Sequence, residues 1–352
     1  MRNSRSPSLS RQLLPVWCGM GLKMWLRLLR LRPPMHLSHT GRIAGVTAAA
    51  CGNSLLHVLE NAVYGRRIER VQIVQPPLFL LGHWRSGTTL LHNLLAHDPR
   101  FLAPTQYQVS FPGHFLLTER WLSRMTASLL PAQRPLDAMA LRWDLPGEDE
   151  LALLLTTLSS PYLRAAFPEG GDVDRLDDLR RNLSPEELAR WKQAFLRFLK
   201  KVSFGQPKTL LLKSPAHTGR IPLLLELFPE ATFVYIVRNP YEVFPSTRYL
   251  YRTLSESNSL TRTEPANVDE RVFSVYRRLY DAYHLHRALV PAARRYELRL
   301  EELVADPIDT LERLYNHFGL DGFEVLRVRL EPYLATHREY RTNAYTLDQS
   351  TH

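Results

Sequence analysis

The sequence contains little cysteine and no long uncharged apolar run. Cys18 and Cys51 are the only cysteines among 352 residues, which is too few for a disulfide framework and fits a reducing compartment. No window offers the roughly 20 uncharged apolar residues that a membrane-spanning helix requires. A hydrophobic content of 45% nevertheless supports a sizeable core. We therefore expect a folded cytoplasmic protein rather than a disulfide-stapled or membrane-spanning one.

Acidic residues are absent from the chain before Glu60. The charged side chains up to that point are all basic, and most of the formal net charge of +10 comes from them. This pattern predicts a basic arm over residues 1–70 that meets an anionic surface, followed by one domain over residues 71–352. A nucleic-acid groove across the whole protein is not expected.

Residues 11–32 of this arm combine cations with tryptophan and leucine. Lys23, Arg27 and Arg30 recur at helical spacing and form one basic stripe beside the apolar residues. One interpretation is an amphipathic helix in the interface of an anionic membrane, which would place the protein on the inner membrane face. The other interpretation is a helix whose apolar face packs on the protein's own domain.

The lysine of a nucleotide-splitting phosphate loop is also missing. The stretch GHWRSGTT, from Gly82 to Thr89, lies between a short apolar strand and a leucine-spaced helix. Unpaired N–H groups and the helix dipole favour an anion at such a junction. Gly82 and Gly87 have Walker spacing, but Thr88 occupies the lysine position and the cation is Arg85. The loop therefore predicts a phosphate or sulfate site and disfavours the splitting of ATP or GTP.

Strand and helix patterns alternate from Pro76 onward. The apolar runs PLFLLG, TLLLKSP, TFVYIV and YELRL indicate strands, and the spacing of TLLLKSP and TFVYIV is that of a right-handed parallel crossover. The stretch from Trp121 to Leu158 is predicted to be mostly helical, and Ser184 begins a capped helix through Val202. We predict an α/β fold: a P-loop NTPase-like open, mostly parallel sheet with helices on both faces.

A second cation lies at the end of the strand TFVYIV. Arg238 occupies the position where an NTPase would place the acid that holds magnesium. Asn239 as the cap, Pro240 in the first turn and Glu242 at the third position then begin a helix that carries Ser246. Arginines and hydroxyls at two such junctions describe a site for a polyanion without an obligatory magnesium ion. We expect no bound metal.

The two junctions together resemble those of sulfotransferases that use 3′-phosphoadenosine-5′-phosphosulfate (PAPS) as co-substrate. HWRSGTT is similar to the family's 5′-phosphosulfate loop, and VRNPYEVFPS is similar to its 3′-phosphate element. The resemblance implies that PAPS is held by Arg85, Ser86, Gly87, Thr88, Thr89, Arg238 and Ser246. Arg341, in the tail motif EYRTNAYTL, either closes over the 3′-phosphate or is a solvated arginine.

Further motifs resemble a bacterial subgroup of the family. They are KSPAHTGRIPLLLELFPEATFVYIVRNP, the acidic block LPGEDELAL and the tail, and the likeness runs from about Trp17 to Leu347. The best-understood kind of this subgroup sulfates a hydroxylated menaquinone, a membrane lipid. The resemblance therefore implies transfer of a sulfuryl group to a hydroxyl of a hydrophobic, lipidic acceptor. A carbohydrate or a small secondary metabolite is the alternative acceptor.

Sulfuryl transfer to an alcohol requires a base for the acceptor proton and a cation at the departing oxygen. Glu148 and Glu150 are the candidate bases, and at most one should face the acceptor because residues two apart on a helix point nearly oppositely. The alternative is that both are solvated acids of a first helical turn. Lys213 ends a strand beside the first one and is predicted to assist Arg85.

The sequence departs from better-known relatives at two places. Gln106 lies where tyrosylprotein-type members have a catalytic glutamate, and no motif gives His97, His114 or His217 the role of a base. Leu300 replaces a tyrosine that can contact the nucleotide in many relatives. The resemblance therefore identifies phosphate contacts better than it identifies the base or the adenine contacts.

Two other classes of protein compete with this interpretation. A nucleotide kinase or NTPase would require magnesium for its activity. An inactive nucleotide-binding scaffold would bind PAPS without transferring the sulfuryl group to any alcohol.

Overall fold

The computed structural model describes residues 15–31, 40–133, 139–167, 177–260 and 267–336. Its strands are β1 (Leu78–Gly82), β2 (Phe101–Leu102), β3 (Thr209–Lys213), β4 (Thr232–Val237) and β5 (Arg295–Arg299). The α-helices in these ranges are α1 (Leu22–Arg30), α2 (Thr40–Glu69), α3 (Thr88–Leu95), α4 (Gln106–Ser110), α5 (Phe115–Met125), α6 (Asp149–Thr157), α7 (Leu179–Asn182), α8 (Pro185–Val202), α9 (Ile221–Leu227), α10 (Pro240–Asn258), α11 (Val268–His286), α12 (Leu300–Ala305), α13 (Pro307–Phe318) and α14 (Phe323–Thr336).

The five strands form one sheet in the order β2-β3-β1-β4-β5. Every neighbouring pair is parallel, so the predicted α/β fold with a parallel sheet is confirmed. β1 lies at the centre, with β3 on one side and β4 on the other. Because the carboxyl ends of parallel strands meet at one edge, the segments that follow β1, β3 and β4 converge there.

Alternating side chains of the central strand enter two separate cores. Phe79 and Leu81 join the core that includes α6 and α8, whereas Leu78 and Leu80 join the core that includes α3 and α13. All four side chains are almost fully buried. This alternation is what a pleated strand produces when helices cover both faces of its sheet.

Two capped helix starts follow the sequence prediction. A reciprocal capping box at Ser184 begins α8, and the Asn239 side chain accepts a hydrogen bond from the first turn of α10. Glu242 does not close a second box, because its carboxylate pairs with Arg238. The local signal therefore predicted the helix start correctly. The Glu242 carboxylate, however, forms an ion pair with Arg238 instead of the capping hydrogen bond.

The prediction of a mostly helical stretch from Trp121 to Leu158 is wrong. Between the end of α5 and the start of α6, the described residues form a short 3₁₀ helix (Ala127–Leu129), turns and isolated bridges. Pro131 and Pro146 interrupt this segment. Proline has no N–H to donate inside a helix, and its ring collides with the preceding turn.

The N-terminal helices pack on the rest of the protein. Trp17, Trp25 and Leu28 are fully buried in a core shared with α2 and α6, and the indole N–H of Trp17 donates to the Asn258 carbonyl at 2.8 Å. Of the two interpretations of residues 11–32, the structure therefore shows packing for the apolar face; residues 11–14 and 32 lie outside the described ranges. The division of the chain at residue 70 remains a prediction.

Across the described ranges, we find no helix that combines the length and the apolar character needed to span a bilayer.

Candidate active site

The loop between β1 and α3 depends on an unusual backbone at Gly87. This residue caps α3 with a φ of 100°, and Arg85 also has a positive φ, of 69°. A Cβ atom on Gly87 would lie 2.5 Å from Leu300 Cδ1, so both the backbone conformation and the space favour glycine. Thr88 and Thr89 follow in the first turn of α3 and line the adjoining cavity. The positive end of the helix dipole is therefore directed at this cavity.

The cavity has a volume of about 300 Å³ and lies at the carboxyl edge of the sheet. Its polar wall includes Arg85, Arg238, Lys213 and Glu148, the last being the one carboxylate among the described lining residues. Another part of the wall is mainly apolar and includes Val16, Leu151, Leu154, Ala165, Leu250 and Leu254. The cavity can therefore accommodate an anionic group and a hydrophobic group side by side.

Arg85 and Arg238 come together although 153 positions separate them. Arg238 Nη1 donates to the Arg85 carbonyl oxygen at 3.1 Å, and Arg85 Nε donates to Ser246 Oγ at 2.8 Å. The Arg238 guanidinium also donates twice to the Glu242 carboxylate, at 2.6 and 2.9 Å. The two sequence motifs thus form one structural unit.

Two of the predicted hydroxyls lie behind the cavity wall. Ser86 is 2% exposed and donates to the His83 carbonyl, and Ser246 is 1% exposed beneath Arg85. Neither side chain lines the cavity; both hold the loop from behind. Arg341 lies outside the residues that the structure describes.

The acidic block LPGEDEL binds the end of β3 and the segment that follows it. Asp149 accepts from the Lys213 backbone N–H at 3.1 Å and pairs with His217 Nε2 at 2.7 Å. Glu150 forms a two-pronged ion pair with Arg220, at 2.6 and 3.0 Å, and both side chains are fully buried. Glu150 is therefore not accessible to an acceptor in the cavity, contrary to its candidacy as a base. The alternative that both glutamates are solvated is also wrong.

Glu148 has a different position from its two neighbours. It precedes α6, lines the cavity and pairs with Lys213 Nζ, and its side chain is 18% exposed. Tyr162 donates its hydroxyl proton to Glu148 Oε1 at 2.5 Å and accepts from Trp84 Nε1 at 2.9 Å. Trp84 belongs to the motif HWRSGTT, but no sequence motif identified Tyr162 or the hydrogen bond between the two side chains, because that contact arises only when the chain folds.

Comparison with known proteins agrees with this geometry. The profile of the sulfotransferase family matches residues 76–324, a span that contains both junctions and the acidic block. This chain belongs to the sulfotransferase family. Similar proteins include the omega-hydroxy-beta-dihydromenaquinone-9 sulfotransferases Stf3 of Mycobacterium bovis and Mycobacterium tuberculosis, each 42% identical over 335 residues, 95% of this chain and 86% of the relative.

Solved structures of other sulfotransferases share the fold. Sulfotransferase STF9 from Mycobacterium avium superposes with a TM-score of 0.72 at 20% identity, covering 97% of this chain and 90% of that one. STF1 from Mycobacterium tuberculosis H37Rv gives 0.62 at 20% identity, covering 88% and 84%. At 20% identity, the similarity to these two structures shows the fold alone. This fold confirms the predicted P-loop NTPase-like architecture.

The described part of this sulfotransferase offers no histidine in the cavity wall. Burial, reinforced by the Lys213 cation, lowers the pKa of His92 to about 3, and burial lowers the pKa of His114 to about 4. His217 is held by Asp149 in the interior. Gln106 does line the cavity, but its amide cannot usefully accept a proton. Glu148 is therefore the group in the described wall best suited to proton transfer.

The described residues of the sulfotransferase contain no group of three or more His, Cys, Asp or Glu side chains arranged to hold a metal ion. Sulfuryl transfer without a divalent ion stays a prediction, and the EDTA experiment proposed under the function addresses it.

Proposed function

We propose that this sulfotransferase moves a sulfuryl group from PAPS to a hydroxyl of a hydrophobic, lipidic acceptor. One observation carries the proposal: a single cavity has a cationic wall and an apolar wall, and Glu148 and Lys213 lie with them around the same space. The names of the Stf3 relatives add support, because they describe sulfation of an omega-hydroxy menaquinone.

The cationic wall fits the sulfuryl donor. Arg85, Arg238 and Lys213 line this wall, and Gly87 opens the first turn of α3 toward the same space. Arg238 is paired with Glu242 and Lys213 with Glu148, so two carboxylates offset two of the three cations and one net positive charge remains. Such an arrangement favours a multiply charged phosphate ligand. Direct contacts to PAPS are proposed for Thr88 and Thr89, which line the cavity. The proposed role of Ser86 and Ser246 is to support the loop from behind. Arg341 is a further proposed contact, from the tail.

The apolar wall favours a lipidic acceptor over a carbohydrate. Leu151 and Leu154 of α6 and Leu250 and Leu254 of α10 present hydrocarbon rather than hydrogen-bonding groups to the cavity. Thr253, Ser257 and Asn258 of α10 also line the cavity, but a sugar beside these four leucines would still bury hydroxyl groups against hydrocarbon, where they lose hydration. A small secondary metabolite with a hydrophobic body remains the alternative acceptor.

Three side chains of the cavity, Glu148, Lys213 and Arg85, have roles in the proposed transfer. PAPS supplies a sulfuryl group whose bond to the 5′-phosphate oxygen breaks as the acceptor oxygen bonds to sulfur. Glu148 accepts the proton from the acceptor hydroxyl. Lys213, Arg85 and the first-turn amides of α3 stabilise the negative charge left on the phosphate oxygen. The products are a sulfate ester and 3′-phosphoadenosine-5′-phosphate.

The proposal is tested with PAPS that carries labelled sulfate. The protein is incubated with a total lipid extract and with a total polar extract, each with and without EDTA. We expect label in a lipid species, with the rate unchanged by EDTA. Magnesium-dependent ATP turnover without sulfate transfer would favour the kinase or NTPase class. PAPS binding in calorimetry without transfer to any of a broad panel of alcohols would favour the inactive scaffold.

Substitution of the two arginines tests the PAPS site itself. Arg85→Ala and Arg238→Ala should each weaken PAPS binding in calorimetry by roughly 10-fold or more, because each removes a charge-assisted contact to a phosphate or sulfate group. Arg277→Ala is the matched control, since Arg277 is 85% exposed on α11 and pairs only with Asp281 in the described contacts. Unchanged PAPS affinity in both site variants would reject the proposed cationic wall.

We further propose contact with an anionic membrane surface on the cytoplasmic side. Lys23 and Arg30 of α1 are exposed, and α2 presents aliphatic side chains that are 46–63% exposed, namely Leu55, Val58, Leu59 and Val63. Exposed cations beside an apolar helix face suit anionic headgroups and the acyl boundary.

Vesicle sedimentation tests the membrane contact. We expect pelleting with anionic vesicles, little pelleting with zwitterionic ones, and a loss of pelleting in a Leu55→Asn, Leu59→Asn variant. Point substitutions are preferable to deletion of the arm, because Trp17 and Trp25 belong to the core. Equal pelleting of the variant and the wild type would show that α2 does not contact the bilayer.

A further inference from the structure

A chain of hydrogen bonds connects the PAPS loop to the proposed base. Trp84, which belongs to the loop between β1 and α3, donates from Nε1 to the Tyr162 hydroxyl at 2.9 Å. Tyr162 donates to Glu148 Oε1 at 2.5 Å. The other carboxylate oxygen of Glu148 pairs with Lys213 Nζ at the end of β3. All four side chains line the cavity.

Tyr162 is held firmly enough to direct Glu148. Its backbone N–H donates to Ser160 Oγ at 3.2 Å, at the start of a short 3₁₀ helix. Its ring meets the Trp84 indole edge-on, with centroids 6.2 Å apart. Because Trp84 already donates to the Tyr162 oxygen, the hydroxyl proton of Tyr162 is left to point at Glu148.

The hydroxyl remains a hydrogen-bond donor throughout the working pH range. Burial and the adjacent Glu148 carboxylate raise the pKa of Tyr162 well above its ordinary value. Glu148 therefore always receives a hydrogen bond on Oε1 and an ion pair on Oε2. A carboxylate oxygen has more than one lone-pair site, so both oxygens can still accept from an acceptor hydroxyl.

We propose that Tyr162 is a positioning residue of the sulfotransferase, orienting the Glu148 carboxylate for proton abstraction, and that Trp84 couples this orientation to the PAPS loop. The inference rests on the proposed function and adds two residues to it. Tyr162 acts through Glu148 and not on the sulfuryl group. Positioning of a reacting group to within a fraction of an ångström has large effects on rate.

A purely structural role for Tyr162 makes a different prediction. A tyrosine that only fills space would affect the free energy of unfolding and leave the pH dependence of turnover unchanged. Tyr107 provides the matched comparison, since it is buried, its hydroxyl bonds to Thr118 Oγ1 at 2.8 Å, and it does not line the cavity.

The experiment compares Tyr162→Phe, Trp84→Phe and Tyr107→Phe with the wild type in the full-length protein. For Tyr162→Phe we expect kcat to fall roughly 10-fold or more, with PAPS affinity within about 2-fold of wild type. The pH–kcat profile of Tyr162→Phe should also differ from that of the wild type, because the carboxylate proposed to accept the proton has lost one of its two partners. Trp84→Phe should change kcat and the pH–kcat profile in the same direction but by less. Tyr107→Phe should change neither kcat nor the pH–kcat profile.

The possible results separate this inference from the function on which it rests. Active wild type together with an unchanged kcat and pH profile in Tyr162→Phe would overturn the positioning role alone. An equal effect in Tyr107→Phe would also overturn it, because the change would then reflect general packing. A wild-type protein without transfer to any acceptor would overturn the proposed function and this inference with it.

Discussion

At the scale of single residues, three consecutive acids have three different environments. Glu148 precedes α6 and reaches the cavity, Asp149 turns to the end of β3, and Glu150 enters the interior and meets Arg220. Successive side chains around a helix start diverge by about 100°, so the sequence predicted that at most one glutamate faces the acceptor. Which one does so depends on where the segment after β3 lies, and that is a long-range property.

These environments predict opposite phenotypes for two matched substitutions. Glu148→Gln should lower kcat by about 10²-fold or more and leave PAPS binding intact, because it removes the proposed base. Glu150→Gln should lower the free energy of unfolding by about 3 kcal/mol, since it removes the carboxylate that forms the two-pronged ion pair with the buried Arg220 guanidinium. Kinetics and urea unfolding of both variants provide the measurements. Loss of turnover in Glu150→Gln without loss of stability would reverse the assignment.

At the scale of elements, the strand-to-helix junctions carry most of what is specific to this protein. Glycine, serine and threonine set the turn after β1, and the asparagine–proline start of α10 follows β4. These are local signals, which the sequence displays directly. The stretch before α6 gave no comparable signal: it was predicted to be mostly helical, although Pro131 and Pro146 disfavour a helix there.

The junction after β1 predicts a specific sensitivity at Gly87. Gly87→Ala should weaken PAPS binding roughly 10-fold, because a φ of 100° strains any residue that has a Cβ atom. The added methyl would also contact Leu300. Calorimetry on Gly87→Ala and on the double variant Gly87→Ala, Leu300→Ala separates the two causes. We expect little recovery in the double variant, and full recovery would assign the effect to the contact rather than to the backbone.

At the scale of the whole molecule, folding buries histidines that must stay neutral. Burial lowers the pKa of His83 and of His114 to about 4 and, together with Lys213, the pKa of His92 to about 3. In the unfolded chain these groups have a pKa near 6.5. The unfolded state therefore binds protons that the folded state does not, and stability is lost as pH falls below about 6.5 toward these lower values.

Urea unfolding at pH 7.5 and pH 5.5 tests this linkage. Each of the three histidines should remove roughly 1 kcal/mol of stability over that interval. In His92→Gln the difference between the two pH values should shrink by about that amount, whatever the variant's stability at pH 7.5. An unchanged difference would mean that His92 binds a proton in the folded protein as readily as in the unfolded chain.

The sequence alone determined the fold class, the two anion-binding junctions and the resemblance to sulfotransferases. The fold class and each junction rest on local signals, namely strand patterns, caps and turn glycines, and the resemblance rests on several such motifs in order along the chain. Only the tertiary structure decided that Arg85 and Arg238 share one cavity. It also decided that Glu148 lines this cavity while Glu150 does not. The hydrogen bond from Trp84 to Tyr162, which brings Tyr162 into the site, likewise appears only in the folded protein. Those facts depend on contacts between segments far apart in the chain, which local propensity does not encode.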